Sequence, residues 1–494
     1  MLSVKKILVL TFFLFLFVQM NRAAAEITPM KPVYPGTEIH TAPRASYPIG
    51  AMGSEIGIFS NDSNVIYSFL PGELPDAWVA IRPQDEGFQL YRYGEPYYIK
   101  GVAGTGYMEK AQASGANSVR TWGSQNAAAI LDRAQNFGLT VLQGIWLSHQ
   151  PDDYFDDSYR NRLIAEVQDL LDTCKHHPAL LMWSLGNEIN LEGADIPEAW
   201  QFVNQLARLI KTQDPHHPVI TVISYSDVAF DHIAKYAPDL DAVGINAYGA
   251  LSQVRAIVDN SAYRGPYLVT EWGTQGHWEA ARTAWGRPIE PTSARKVELY
   301  RRFYADDILG NKDRCLGSYV FLWGQKQERT PTWYSMFIDH IPGTDFNGLA
   351  CPTVDVMGYN WSGTWPSNRA PLVTDVTING SAAHGDVSLF SGELMEVQVE
   401  ANDPDQENLS YLWEIMEEPA ILGLGGSGES RPATIGSVLQ AENPLTQIQA
   451  PEIPGSYRLF VYVLDENGHV GTANIPFHVG TYQADGETNR GPHF

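Results

Sequence analysis

Eight short apolar runs, at 98–102, 118–122, 140–146, 180–185, 219–224, 242–247, 267–270 and 318–323, recur through the middle of the chain with helical patterning between them. A run that is apolar at consecutive rather than alternate positions belongs to a strand buried on both faces, and interposed helices are what cover those faces. The clearest helical stretches are 159–177, with Leu163, Val167, Leu170, Leu171 and Cys174 on one face, and 198–212, with Trp200, Val203, Ala207 and Ile210 in register. Eight strand–helix units predict an α/β fold closed into a (β/α)8 TIM barrel over residues 98–368. A doubly wound open sheet is the competing arrangement. It accounts less well for eight repeats and gives no reason for the polar residues that end nearly every run.

The flanks read differently. Residues 26–97 are a leader with Pro29, Pro32, Pro35, Pro43 and Pro48, then short strands and turns, with a hairpin at 88–100 leading into the barrel. From 369 to 482 helical patterning stops. Alternating runs at 373–378, 394–400, 409–415, 457–464 and 473–479 predict a small all-β, immunoglobulin-like sandwich. Within it Asn402-Asp403-Pro404-Asp405, Leu412-Trp413-Glu414 and Val463-Leu464-Asp465-Glu466-Asn467-Gly468 resemble polycystic-kidney-disease-type and cadherin-like modules. The loop holding Asp403 and Asp405 is open between a calcium site and a solvated turn, with the turn as default. Residues 483–494 read as a disordered tail.

Lys5 and Lys6, the apolar run 7–18, and Ala23-Ala24-Ala25 before Glu26 have the three-part form of a secretory signal peptide cut after Ala25. That apolar run is short for a bilayer span. The expectation is a chain that is secreted or periplasmic, with no membrane anchor in its mature form; an uncleaved anchor is the alternative. A formal net charge of −24 argues against nucleic acid as a partner, because binding it needs clustered Lys and Arg. Three cysteines make no disulfide scaffold, and a Cys315–Cys351 bridge with Cys174 left on a helix stays open. Thirteen Trp and twenty-four Tyr suit stacking on sugar faces, although core packing accounts for most of them.

In a parallel barrel every C-terminal strand end opens on one face, so residues far apart in sequence meet there. The ends carry Arg120 and Trp122 on the second run, Trp146 with His149 beyond the third, and Asn187 with Glu188 after the fourth. Asn246 and Tyr248 follow at the sixth, Glu271 and Trp272 at the seventh, and Trp323 at the eighth. Two carboxylates from different strands in one pocket are the equipment for acid/base and nucleophilic work on a glycosidic bond. A lone Asn-Glu is commonly a solvated turn, so the weight rests on the combination.

This combination resembles the clan A glycoside hydrolases, in which an Asn-Glu pair ends strand four and a second Glu ends strand seven. The nearer likeness is to family 2, which holds β-galactosidases and β-glucuronidases. It rests on Ile99-Lys100-Gly101-Val102, Asn117-Ser118-Val119-Arg120-Thr121, Asn187-Glu188, Asn246-Ala247-Tyr248 and Thr270-Glu271-Trp272, spanning roughly residues 98–325. The resemblance implies a retaining β-glycosidase that needs no cofactor or metal and takes a β-linked oligo- or polysaccharide as its carbohydrate partner. Glu271 would be the nucleophile and Glu188 the acid/base. Arg120 and Tyr248 would hold Glu271, Asn187 would bind the hydroxyl beside the anomeric carbon, Trp323 would floor the pocket, and Asn246, Trp146 and Trp272 would line it. The chain departs from the family in its short region before the barrel and in Val102-Ala103-Gly104-Thr105-Gly106, where an Asn and a downstream His are usual. A transglycosylase on the same site and a non-catalytic carbohydrate-binding protein that keeps the barrel are the other readings, and the C-terminal module is expected to be a spacer or to touch glycan or cell wall.

Other signals carry less. Gly423-Leu424-Gly425-Gly426-Ser427-Gly428 spells a dinucleotide fingerprint but opens no helix, so it reads as a loop. His176-His177-Pro178 and His216-His217-Pro218 precede barrel strands, which puts them on the face away from chemistry in capping and turn roles. Asp152, Asp153, Asp156 and Asp157 read by default as a solvated loop, with substrate contact the minor alternative because that loop rims the active face.

Overall fold

The computed structural model describes residues 56–59, 66–69, 78–419 and 428–480. The expected signal peptide, residues 26–55 of the leader, most of the glycine-rich run at 423–428, and the 483–494 tail lie outside the described residues. Within them, eight parallel strands close into a barrel: β1 (Ile99–Ala103), β2 (Ser118–Arg120), β3 (Thr140–Ile145), β4 (Leu180–Leu185), β5 (Val219–Ser224), β6 (Ala242–Asn246), β7 (Tyr267–Trp272) and β8 (Cys315–Val320). Each pairs with its neighbour in chain order, and β8 returns to β1 from Gly317 opposite Ile99 to Val320 opposite Val102. The open-sheet alternative is thereby set aside.

Strand alternation sorts the side chains into two cores. Ile99, Leu142, Leu181, Ile220, Leu268 and Tyr319 fill the barrel interior. Val102, Val119, Val141, Trp183, Val243 and Val269 face outward into a layer shared with the helices. Helix Asp157–Cys174 buries Leu163, Val167, Leu170, Leu171 and Cys174, the stripe expected from the sequence, and Asp156 caps it by accepting from Ser158 N. Helix Pro197–Gln213 starts on a proline, where the missing N–H costs nothing, and buries Trp200, Val203, Ala207 and Ile210.

The barrel's N-terminal end is plugged by a three-stranded meander, Val79–Pro83, Phe88–Arg92 and Glu95–Tyr97, one strand more than the expected hairpin. Its Leu90 is fully buried among the interior residues, Val79 N donates to His216 O (2.9 Å), and Trp78 stacks on the His216 ring at 4.8 Å. The paired histidines do serve turns at this end. Ala179 N donates to His177 Nδ1 (3.1 Å), and His217 Nδ1 lies 2.8 Å from Asp214 Oδ2.

Beyond the barrel come a three-stranded antiparallel sheet (Leu372–Ile378, Leu394–Asn402, Leu445–Gln449) and a five-stranded sheet built around Val470–Val479, Gly455–Leu464 and Ser410–Glu417. They share an apolar core that includes Val376, Val397, Trp413, Leu459 and Ile475. This region does not stand apart from the barrel. Leu412, Phe460 and Tyr462 on the other face of the five-stranded sheet pack with Ile338, Ile341 and Leu349, which follow β8. All three cysteines are buried and free, so the Cys315–Cys351 bridge is not formed. Cys315 opens β8, whereas Cys351 N donates to Met336 O in the segment after that strand.

Candidate active site

Glu271 stands at the C-terminal end of β7, and three donors fix its carboxylate. Oε1 accepts from Arg120 Nη1 (3.0 Å) and Trp122 Nε1 (2.8 Å), and Oε2 accepts from Tyr248 OH (3.0 Å). A pairing irregularity makes this possible, since the β6–β7 register skips Thr270 between Ile245 and Asn246. An extra residue re-aims its neighbours: Thr270 Oγ1 donates to Asn246 Oδ1 (2.9 Å) while the next side chain, Glu271, also reaches the interior. Arg120 is the hub. It is 1% exposed, and it also donates to Thr270 O (2.7 Å) and Asn187 Oδ1 (2.6 Å). Asn246 Nδ2 donates to the same Asn187 oxygen (3.1 Å), which leaves Asn187 Nδ2 without an acceptor among the described residues.

Glu188 follows β4 in a tight turn in which Gly186 and Glu188 both take positive φ, 75° and 52°. A non-glycine residue in that conformation costs on the order of 1–3 kcal/mol and persists only where its surroundings dictate it. Here Glu188 N is tied to Val222 O on β5 (2.8 Å). Burial first, and the neighbouring Glu271 charge second, push the Glu188 carboxyl up to about 8, against the pull of Asn246 and Arg120. Tyr248 is held protonated by burial and by the Glu271 charge, which keeps its hydroxyl a donor.

Of the remaining expected residues, Trp146 is 46% exposed and leans on the His149 ring at 5.4 Å, while His149 Nε2 sits 2.7 Å from Asn187 O. Two tryptophans are placed elsewhere than expected. Trp272 is fully buried and packs on Tyr300 and Tyr304 in the helix layer. Trp323 is likewise buried there, against Phe337 and Trp361, with Nε1 donating to Tyr107 O (3.1 Å). Neither ring reaches the glutamates. Successive residues on a strand alternate in face, so with Glu271 inside Trp272 is outside, and Trp323 lies beyond the end of β8 with its ring on the outer side.

Of the rings that follow β8, Phe321 is one that lies beside the donors to Glu271. Its ring meets Trp122 and Tyr248 edge-on, each at 6.1 Å, and Tyr334 at 5.7 Å. Gly273 makes room: a Cβ there would lie 2.8 Å from Phe321 O. Gly144 on β3 does the same for the chain after β2, since a Cβ would stand 2.5 Å from Thr121 O, and Trp122 is thereby set over Arg120. Sequence reasoning placed Trp122 at the strand end without giving it a role, and it missed Phe321, Tyr334 and Trp278. Trp278 is 51% exposed and meets Tyr248 edge-on at 5.5 Å. Only the pattern of large aromatic residues in 272–285 and 321–337 signalled them.

A third carboxylate, Glu328, lies in the segment after β8. It is 6% exposed and ion-paired to Lys326 Nζ (2.6 Å), which in turn sits 5.7 Å from the Phe321 ring centre. Burial raises Glu328 and Lys326 lowers it, while the Glu271 charge adds to the rise. Far from this site, Asp403 gathers with Glu407 and Asp465, their oxygens within 4.8 Å of one another. Asp405 is turned elsewhere, accepting from Arg369 N (2.7 Å).

Residues 108–278, which include Arg120, Glu188 and Glu271, match the model of glycosyl hydrolases family 2, TIM barrel domain. The segment that carries both glutamates is thus similar to the barrel domain of the family 2 glycosyl hydrolases. The chain is also similar to a β-glucuronidase of Paenibacillus borealis, 25% identical over 293 residues covering 51% of this chain and 47% of that protein. The human β-glucuronidase is 27% identical over 137 residues, 27% of this chain and 20% of that one. This chain thus spans less than half the length of either relative. A solved β-D-glucuronidase from Dictyoglomus thermophilum aligns at a TM-score of 0.45 and 18% identity, covering 63% of this chain and 57% of that one.

Proposed function

We propose that this chain is an exported retaining β-glycoside hydrolase, with Glu271 as nucleophile and Glu188 as general acid/base. The observation that carries the reading is the contrast between the two carboxylates. Glu271 is held by three donors, one of them cationic, whereas Glu188 is pushed up by burial and by Glu271 itself. A carboxylate fixed by three donors beside a second carboxyl pushed toward its protonated form is the acid/base division that glycoside cleavage needs. In the first half Glu271 attacks the anomeric carbon, the bond to the leaving oxygen breaks, and Glu188 gives that oxygen its proton. In the second half water gives a proton to Glu188, attacks the same carbon and releases Glu271. Asn187 Nδ2 is placed to donate to the hydroxyl beside the anomeric carbon, a contact that strengthens as charge develops.

The exposed rings of Trp146 and Trp278 favour an extended glycan, because a ring presented to solvent beside a pocket offers a stacking platform for further sugars. The same platforms favour a second reading, transfer to a sugar acceptor instead of water. We read the two C-terminal sheets as an immunoglobulin-like, polycystic-kidney-disease-type module. Export rests on the signal-peptide pattern of residues 1–25. The names of the relatives put a β-glucuronide among the substrates to try. On a panel of β-linked glycans, Glu271→Gln and Glu188→Gln should each abolish turnover; a near-normal rate in either sinks the assignment. Longer products at high glycan concentration would decide for transfer.

A further inference from the structure

Arg120 and Lys326, the two cations nearest the Glu271 cluster, are each matched by a carboxylate. Arg120 Nη1 is 3.0 Å from Glu271, and its other Nη donates to Asn187. Lys326, over the face of Phe321, is 2.6 Å from Glu328. Behind them, Arg329 N donates to Glu429 Oε2 (2.7 Å), and the Arg329 guanidinium lies 3.5 Å from the same carboxylate. His277, whose Nε2 is 3.8 Å from Glu328, brings no compensating charge, because burial and the Arg329 charge hold its imidazole down at about 3. With Glu188 protonated, the charges gathered around the two glutamates are Glu271 against Arg120 and Glu328 against Lys326. The balance is zero before any substrate enters.

We infer that the Lys326–Glu328 pair is a specificity element that admits a neutral sugar and rejects a uronic acid. This rests on the hydrolase reading above. A neutral glycoside leaves both ion pairs intact, with Glu328 Oε2 on Lys326 and Oε1 toward His277. A glucuronide adds a carboxylate beside two cations that are already paired, and an unpaired buried charge is costly. To bind it, Lys326 would have to abandon Glu328, which is itself buried and would then stand unpaired. Glu429, which reaches the backbone of the next residue from the C-terminal region, is a positioning residue for this element.

The test compares kcat/KM of the full chain on p-nitrophenyl β-glucuronide with that on the β-glucoside, β-galactoside and β-mannoside. The best neutral sugar should exceed the glucuronide by about 100-fold or more, the scale of leaving one charge buried without a partner. Glu328→Gln frees Lys326 and should move that ratio toward the glucuronide by about 10-fold or more. Glu429→Gln should move the ratio in the same direction, a split between substrates that a general loss of stability would not produce. Calorimetric binding of the methyl β-glycosides repeats the comparison without bond cleavage, so a failure of the hydrolase reading stays distinguishable. Glucuronide preferred by the unsubstituted chain, in turnover or in binding, overturns the inference. So does a ratio unmoved in Glu328→Gln.

Discussion

Arg120 divides its two Nη atoms among Glu271, Thr270 O and Asn187, so one side chain orients both the candidate nucleophile and the amide beside the candidate acid. Trp122 adds a neutral donor to the same Glu271 oxygen, and this is the contact easiest to remove without collapsing the site. A hydrogen bond to a charged group contributes about 1.5–3 kcal/mol, so Trp122→Phe should lower kcat by roughly 10- to 100-fold. KM should change little if the bond acts mainly on the nucleophile, and steady-state kinetics read the split. Glu188 gives the second prediction at this scale. It works as an acid only while protonated, so kcat/KM should fall as pH rises through its elevated value of about 8, not through the ordinary carboxylate range. A pH–rate profile whose alkaline limb sits below pH 6 would contradict that assignment.

Element geometry decides which aromatic residues stand beside the two glutamates. The eight apolar runs made the barrel legible, because consecutive burial leaves few other architectures, and the two glutamates were legible because both close such runs. What was not legible was the facing of residues at and just past the strand ends. The eighth run was placed at 318–323, but the strand is Cys315–Val320, and the offset moved Trp323 to a strand end it does not occupy. Apolar residues continue through Phe321 and Leu322, so composition alone carries no mark of where pairing stops. The β-bulge at Thr270 is also silent in the sequence, since it arises from tertiary pairing with β6. The consequence is a pair of opposite mutants. Phe321→Ala should cut kcat/KM while leaving most of the secondary structure in place, because the ring faces Trp122 and Tyr248. Trp323→Ala removes a buried ring from the helix layer and should destabilise by about 3–5 kcal/mol, read by urea denaturation.

At the scale of the whole molecule the barrel and the C-terminal sheets are joined by buried charge. Arg458 on strand Gly455–Leu464 is 2% exposed and donates to Pro288 O in the loop after β7 (2.8 Å), to Asn474 Oδ1 (2.6 Å) and to Glu418. Asn474 and Glu290 are hydrogen-bonded across the same boundary, and Glu290 is held ionised by Lys296 at 2.6 Å and by Thr330. Ile289 enters the sheets' apolar core between these polar contacts. A network of this kind is costly to break from one side, because the partner left behind stays buried with its charge unmatched. Arg458→Met should therefore destabilise by about 3–5 kcal/mol, most of it from the stranded Glu418, which is itself 4% exposed. Adding Glu418→Gln should recover part of the loss, since the second change removes the unpaired charge. If the sheets were an independent module, Arg458→Met would split the thermal transition and leave the barrel's melting unchanged. Shared burial at Pro288, Glu290 and the Ile338–Leu349 surface predicts instead one calorimetric transition, shifted as a whole.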